Sequence, residues 1–168
     1  MIKRRISTVA IIIIGFLLQT TTFQAIKLAD VVPNILLMLT VCYAYMRGRT
    51  SGLVIGFFCG FLLDMMYGSV IGLYSFIFMS IGFLCGYCQK IYFTDNYILP
   101  CVLVGISDFL YGLYYFVTEF LIRGRLNFGF YFINIIFPEM IYTMIVSVIL
   151  FRLLNMLEKF LSEKREEA

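Results

Sequence analysis

The 168-residue chain contains no histidine and no tryptophan, and it holds only three prolines. Without histidine there is no imidazole general base, no histidine metal ligand and no histidine pH switch. Without tryptophan, any aromatic belt at a membrane surface falls to the 12 tyrosines. Charge is equally sparse: 14% of residues are Asp, Glu, Lys or Arg, against about 25% in soluble domains. That scarcity excludes intrinsic disorder. The formal charge of +3 is too small to point to nucleic acid. Hydrophobic residues fill the space, at 62% of the chain. A soluble globule of this size could not hide so much apolar surface. An all-α integral membrane protein remains. At ~20 residues per span, the length accommodates about six spans and leaves little for a catalytic domain outside the bilayer.

The hydropathy pattern predicts a compact bundle of six transmembrane helices, over about residues 6–26, 33–46, 50–66, 70–89, 97–122 and 130–154. The first follows Lys3, Arg4 and Arg5 and could be a signal peptide. No small-x-small cleavage site follows it, however, since Phe23 stands two residues before Ala25, which favours an uncleaved helix. Pro33 opens the second span, where its missing N–H costs nothing. Arg47-Gly48-Arg49 closes that span, and Tyr67-Gly68-Ser69 makes the turn between the third and fourth. Residues 155–168 form a charged amphipathic tail, with Leu157, Phe160 and Leu161 on one face. It would lie on the membrane, contact a cytoplasmic partner or extend the sixth span into solvent.

Six spans put both termini on one side. Ten basic residues fall there: Lys3, Arg4, Arg5, Arg47, Arg49, Lys90, Arg152, Lys159, Lys164 and Arg165. Only Lys27, Arg123 and Arg125 fall on the other. This asymmetry predicts cytoplasmic termini, with Arg123 and Arg125 as the misfit. A five-span arrangement with a re-entrant hairpin would separate the termini. Tyr43, Tyr45, Tyr87, Tyr92 and Tyr97 sit near predicted cytoplasmic boundaries, where a belt is expected.

The most informative pattern is a ladder. Gly48, Gly52, Gly56 and Gly60 recur every four residues, Asp64 takes the next step, and Gly68 and Gly72 follow. A four-residue step advances a helix by about 400°, so these positions form a slowly winding groove. In lipid, helices gain from close backbone approach, which glycine permits. The groove would either pack on a neighbouring span or dock another protein's helix. Gly82 and Gly86 repeat the spacing in the fourth span and favour internal packing. Three intramembrane carboxylates, Asp108, Glu119 and Glu139, should face a polar interior, because an ionised carboxylate facing lipid is costly. They would serve either as a proton relay or polar pocket, or simply as hydrogen-bonded packing groups. Cys85-x-x-Cys88 is half of a metal motif with no second pair, and it reads as apolar packing. No catalytic residue, cofactor or metal site emerges.

The ordered set of features resembles the MreD family, the rod shape-determining membrane proteins of bacteria. It runs from Gln19-Thr20-Thr21 at the end of the first span, through Pro33-Asn34 and Arg47-Gly48, to Gly52, Gly56, Gly60, Asp64, Gly68 and Gly72. The resemblance covers roughly residues 10–90, and Asp108, Glu119 and Glu139 gain nothing from it. It implies a noncatalytic scaffold of the elongation machinery. The expected partners are an MreC-like bitopic protein, a RodA-type glycosyltransferase with its penicillin-binding transpeptidase, and MreB-type filaments. Arg47 and Arg49 would anchor the cytoplasmic end of the ladder on lipid headgroups. The resemblance also implies a fold similar to the substrate-binding components of energy-coupling-factor transporters. That supplies the rival expectation: a vitamin-type substrate-binding component, with Asp108 or Glu119 reading a small polar ligand.

Overall fold

The computed structural model describes residues 2–22, 32–67, 72–91, 98–117 and 132–166, with the side chains of residues 6–21, 32–67, 72–89, 98–117, 132–133 and 136–158. Six α-helices lie among them: α1 (Ile2–Leu17), α2 (Ile35–Arg47), α3 (Arg49–Tyr67), α4 (Leu73–Cys85), α5 (Ile98–Tyr115) and α6 (Phe137–Glu166). No strand occurs among the described residues. A π-helical turn, Leu18–Thr22, extends α1, and another, Phe132–Ile136, leads into α6. A 3-10 segment, Gly86–Ile91, follows α4. Helices α3, α5 and α6 are long and apolar enough to cross a membrane, while α1, α2 and α4 are apolar but shorter.

Helix α2 lies at the centre. Every residue from Ile35 to Tyr45 is buried, so this helix is apolar all round and has no lipid face, as a fully enclosed helix should be. Its 13 residues rise only about 20 Å. A helix wrapped by its neighbours need not match the bilayer thickness itself. The enclosure also takes Tyr43 and Tyr45 out of the expected interfacial belt: both are buried in the core. Tyr45 meets Phe151 of α6 with ring centroids 6.1 Å apart, and the Arg47 guanidinium lies 4.6 Å from the Tyr43 ring. Pro33 does not open the helix. Asn34 is the N-cap, and its side chain accepts the Leu37 N–H at 3.2 Å.

The glycine ladder is occupied from within the chain. A Cβ at Gly52 would land on the Gly82 carbonyl, one at Gly56 on the Phe78 carbonyl, and one at Gly60 on the backbone of Tyr74 and Ser75. The register falls on one helix as it rises on the other, so α3 and α4 run antiparallel in backbone contact. The sharp turn between α2 and α3 rests on Gly48, with φ +89°. Helices α5 and α6 form a second antiparallel pair. Gly105 faces Met144, Gly112 faces Ile136, and the Cys101 thiol donates to the Met144 carbonyl at 3.3 Å. The α4 and α5 pair meets through Phe78 and Tyr111, edge-on at 5.7 Å, and through Cys85 and Ser107 at 3.3 Å.

The outward faces are apolar. Val54, Phe57, Phe58 and Met65 on α3, Ile6, Val9 and Ile14 on α1, and Ile145 and Ile149 on α6 are exposed, the last at 68%. Buried polar residues, by contrast, include Asn34, Thr40, Asp64, Ser75, Ser107, Asp108, Thr143 and Ser147. This apolar-out, polar-in arrangement suits a hydrocarbon solvent. Helix α6 is the long member, at 30 residues or roughly 45 Å. It continues unbroken through Glu166, so the charged tail begins as an extension of the same helix.

Two glycine substitutions separate backbone contact from side-chain contact. Gly56→Ala meets immovable backbone and is expected to cost about 2–3 kcal/mol. Gly15→Ala meets the mobile end of Leu39 and should cost less than half of that. Thermal unfolding of both variants in detergent micelles checks the ranking.

Candidate functional site

Polar side chains gather at two ends of the bundle, and each cluster grows from a helix terminus that needs partners. At the Asn34 end, the first turn of α4 exposes backbone N–H groups. Asp64, the rung after Gly60, points at them. One carboxylate oxygen accepts the Tyr74 N–H at 3.0 Å, and the other accepts the Ser75 N–H at 2.9 Å and the Ser75 hydroxyl at 2.5 Å. Asp64 is 2% exposed. A carboxylate at a helix N-terminus satisfies donors and complements the dipole together. The N-cap of α4 is Gly72, with φ +106° and no side-chain cap, so the acidic residue on the neighbouring helix performs that task.

Helix α2 is capped in the same way. The Leu36 N–H donates to Gln19 Oε1, in the π-helical turn that follows α1, at 3.0 Å, and the Asn34 N–H donates to the Thr143 hydroxyl of α6 at 3.4 Å. The Thr143 hydroxyl in turn hydrogen-bonds the Asp108 carboxyl on α5. Glu139, one turn before Thr143 on α6, lies within electrostatic reach of Asp108. Tyr111 of α5 faces both carboxyls and also Tyr74 and Tyr115. Four helices thus converge on one polar interior.

At the Gly48 end, Arg47 is the hub. Its guanidinium donates to the Thr8 hydroxyl of α1 at 2.7 Å and forms an ion pair with Glu158 of α6. The two charged side chains are 15% and 10% exposed, shielded enough for the pair to matter. Arg49 is exposed and stacks on the Tyr87 ring at 4.6 Å. Gly86 brings the end of α4 against the Gly48–Arg49 backbone, and a Cβ at Gly48 would strike Gln89.

The structure brings together some of the sequence-predicted residues and separates others. Gly52, Gly56 and Gly60 meet α4, Asp64 caps its N-terminus beside Gly72, and Asp108 comes within electrostatic reach of Glu139. Arg47 points into the protein towards Glu158, and Arg49 stays at the surface. Gly68, Glu119, Arg123, Arg125, Lys27, Tyr92 and Tyr97 lie outside the described residues. Sequence reasoning missed Gln19, Thr143 and Glu158 as partners. Each acts across many residues of chain, and only the polar character of Gln19 and Thr143 within apolar runs marked them.

Removing the cap tests the first cluster. Asp64→Ala is expected to lose on the order of 2–4 kcal/mol of stability, and Asp64→Asn, which keeps one acceptor oxygen, roughly half as much. For the second cluster, a double-mutant cycle on Arg47→Ala and Glu158→Ala should return a coupling of about 1–2 kcal/mol. Both are measured by unfolding in micelles at constant salt.

Comparison with known proteins completes the assignment. No curated protein and no solved structure matches the chain. The family model of the rod shape-determining protein MreD matches residues 2–161. With nearly the whole length matched, and with an apolar-out helical bundle to fit it, the chain belongs to the MreD family of bacterial rod shape-determining membrane proteins.

Proposed function

We propose that the chain is a noncatalytic scaffold of the lateral cell-wall synthesis machinery in the cytoplasmic membrane. It spans the bilayer six times and keeps both termini in the cytoplasm. The match to the MreD family over residues 2–161 carries this reading. The family belongs to a shape-determining system in which MreC-type proteins are the natural partners, so an MreC-like bitopic protein is the first candidate. Contact with the RodA-type glycosyltransferase and its transpeptidase then follows through that assembly, and MreB-type filaments lie further along.

The geometry supports a scaffold in two ways. Its small-residue contacts and the Asp64 carboxylate are consumed by internal packing, which makes a stiff body. Its outer faces are apolar ridges on α1, α3 and α6, which a partner's single span can meet in lipid. The charge bias supports cytoplasmic termini. The meeting of Thr8, Arg47 and Glu158 at one end supports termini on the same side, since the early part of α1 there lies beside the late part of α6.

Depletion in the producing bacterium is expected to turn rods into rounded or swollen cells, and the MreC-like protein should co-purify with the wild-type chain from membranes. Normal cell shape combined with a vitamin requirement on depletion would reject the scaffold in favour of a transporter component. Because Gly56 touches α4, Gly56→Leu should lose the partner together with its own fold, read as lower partner yield and a lower unfolding temperature in the same preparation.

A further inference from the structure

The Asp108–Glu139 cluster has a feature that internal packing does not explain. Asp108 is 3% exposed and Thr143 is fully buried. The Thr143 oxygen accepts the Asn34 N–H, so the hydroxyl proton is free to go to Asp108. One carboxyl oxygen is satisfied in this way. The other, Oδ1, is buried and has no partner among the described residues. Its acidic neighbour Glu139 cannot donate to it as a carboxylate. Among the described residues, no lysine or arginine acts on either carboxyl. The other titratable group facing the pair is Tyr111 on α5, which is itself flanked by Tyr115 and by Tyr74 on α4. Helix α2 contributes Asn34, and α6 contributes Thr143 besides Glu139. None of these supplies positive charge.

Two carboxylates in a low-dielectric interior with no countercharge repel each other and drive the helices apart. One positive charge between them turns that repulsion into a bridge. We propose that Asp108, Glu139 and the Thr143 hydroxyl form a site between α5 and α6 for one exchangeable monocation, either a proton or an alkali ion. The donors are all hard oxygens, which suit such ions and not soft metals. The scale is ionic. Apolar crevices of about 210 and 280 Å³ flank α5, and neither is lined by Asp108 or Glu139. Glu139 is half-buried near the start of α6 whereas Asp108 is enclosed, so the ion enters past Glu139. A cation at this point ties α5 to α6 and, through Thr143 and Asn34, to the start of the central helix.

The test uses the purified full chain in detergent micelles. Thermal unfolding is followed from about pH 5.5 to about pH 9 in choline chloride, and then at about pH 8.5 with sodium replacing choline at constant ionic strength. Protons fill the site at low pH and leave as pH rises, so the wild-type unfolding temperature should fall by about 4 °C or more across the series. Restoration by sodium at high pH assigns the site to an alkali ion as well, and no restoration assigns it to the proton. Asp108→Asn and Glu139→Gln should each flatten the response, and Asp64→Asn should lower stability while keeping it. A wild-type unfolding temperature indifferent to both pH and sodium would overturn the proposal, and so would a response that survives unchanged in both Asp108→Asn and Glu139→Gln.

Discussion

A backbone N–H or C=O inside hydrocarbon has no water to turn to, and each helix end presents several such groups. This constraint organises the molecule. Helix α2 is short and enclosed, so its first turn takes Gln19 from the turn after α1, its own Asn34 and, through the Asn34 N–H, the Thr143 hydroxyl from α6. Helix α4 begins at a glycine that cannot cap it, and Asp64 from α3 does so instead. The residues that look like a polar site are, for the most part, the termination chemistry of buried helices. They also weld the bundle, because Gln19, Thr143 and Asp64 each serve a helix other than their own, and only Asn34 caps its own.

Close approach does the rest. Lipid tails are as apolar as leucine, so burying leucine against leucine gives little advantage to a folded chain in a bilayer. Backbone contact along Gly52, Gly56 and Gly60 gives dispersion and weak C–H···O attraction that a lipid cannot match. The ladder and the Asp64 cap lie on the same face of α3, and together they fix both the separation and the register of α3 and α4. The surface left to a partner is then the opposite face, where Phe57 stacks on Phe61 and meets Phe58 edge-on. The inner surface sets shape, and the outer one is left to meet lipid or neighbours.

Much of this was legible from residue order alone. The Arg47-Gly48-Arg49 break marks the α2–α3 turn to within a residue, because glycine at positive φ ends a helix cleanly. The four-residue spacing identifies a contact surface, and Gly82 hints at its occupant. Other features were not readable. The partners of Asp64, Asp108 and Arg47 lie ten, 35 and 111 positions away, and nothing in a single sequence couples such positions. The tyrosines near Arg47 misled for a related reason. A short apolar segment with tyrosines at one end looks the same whether it meets lipid or lies inside five other helices.

Enclosure of α2 bears on how the protein is made. A segment of 13 residues with threonine, tyrosine and arginine among them is a poor candidate for stable partition into lipid during synthesis. Since only Gly48 separates it from α3, the two form one hairpin, and α2 is fully covered only once α6, which lies far along the sequence, packs against it. Translation halted before α6 would leave the central segment half-covered and open to the quality-control proteases that patrol the membrane.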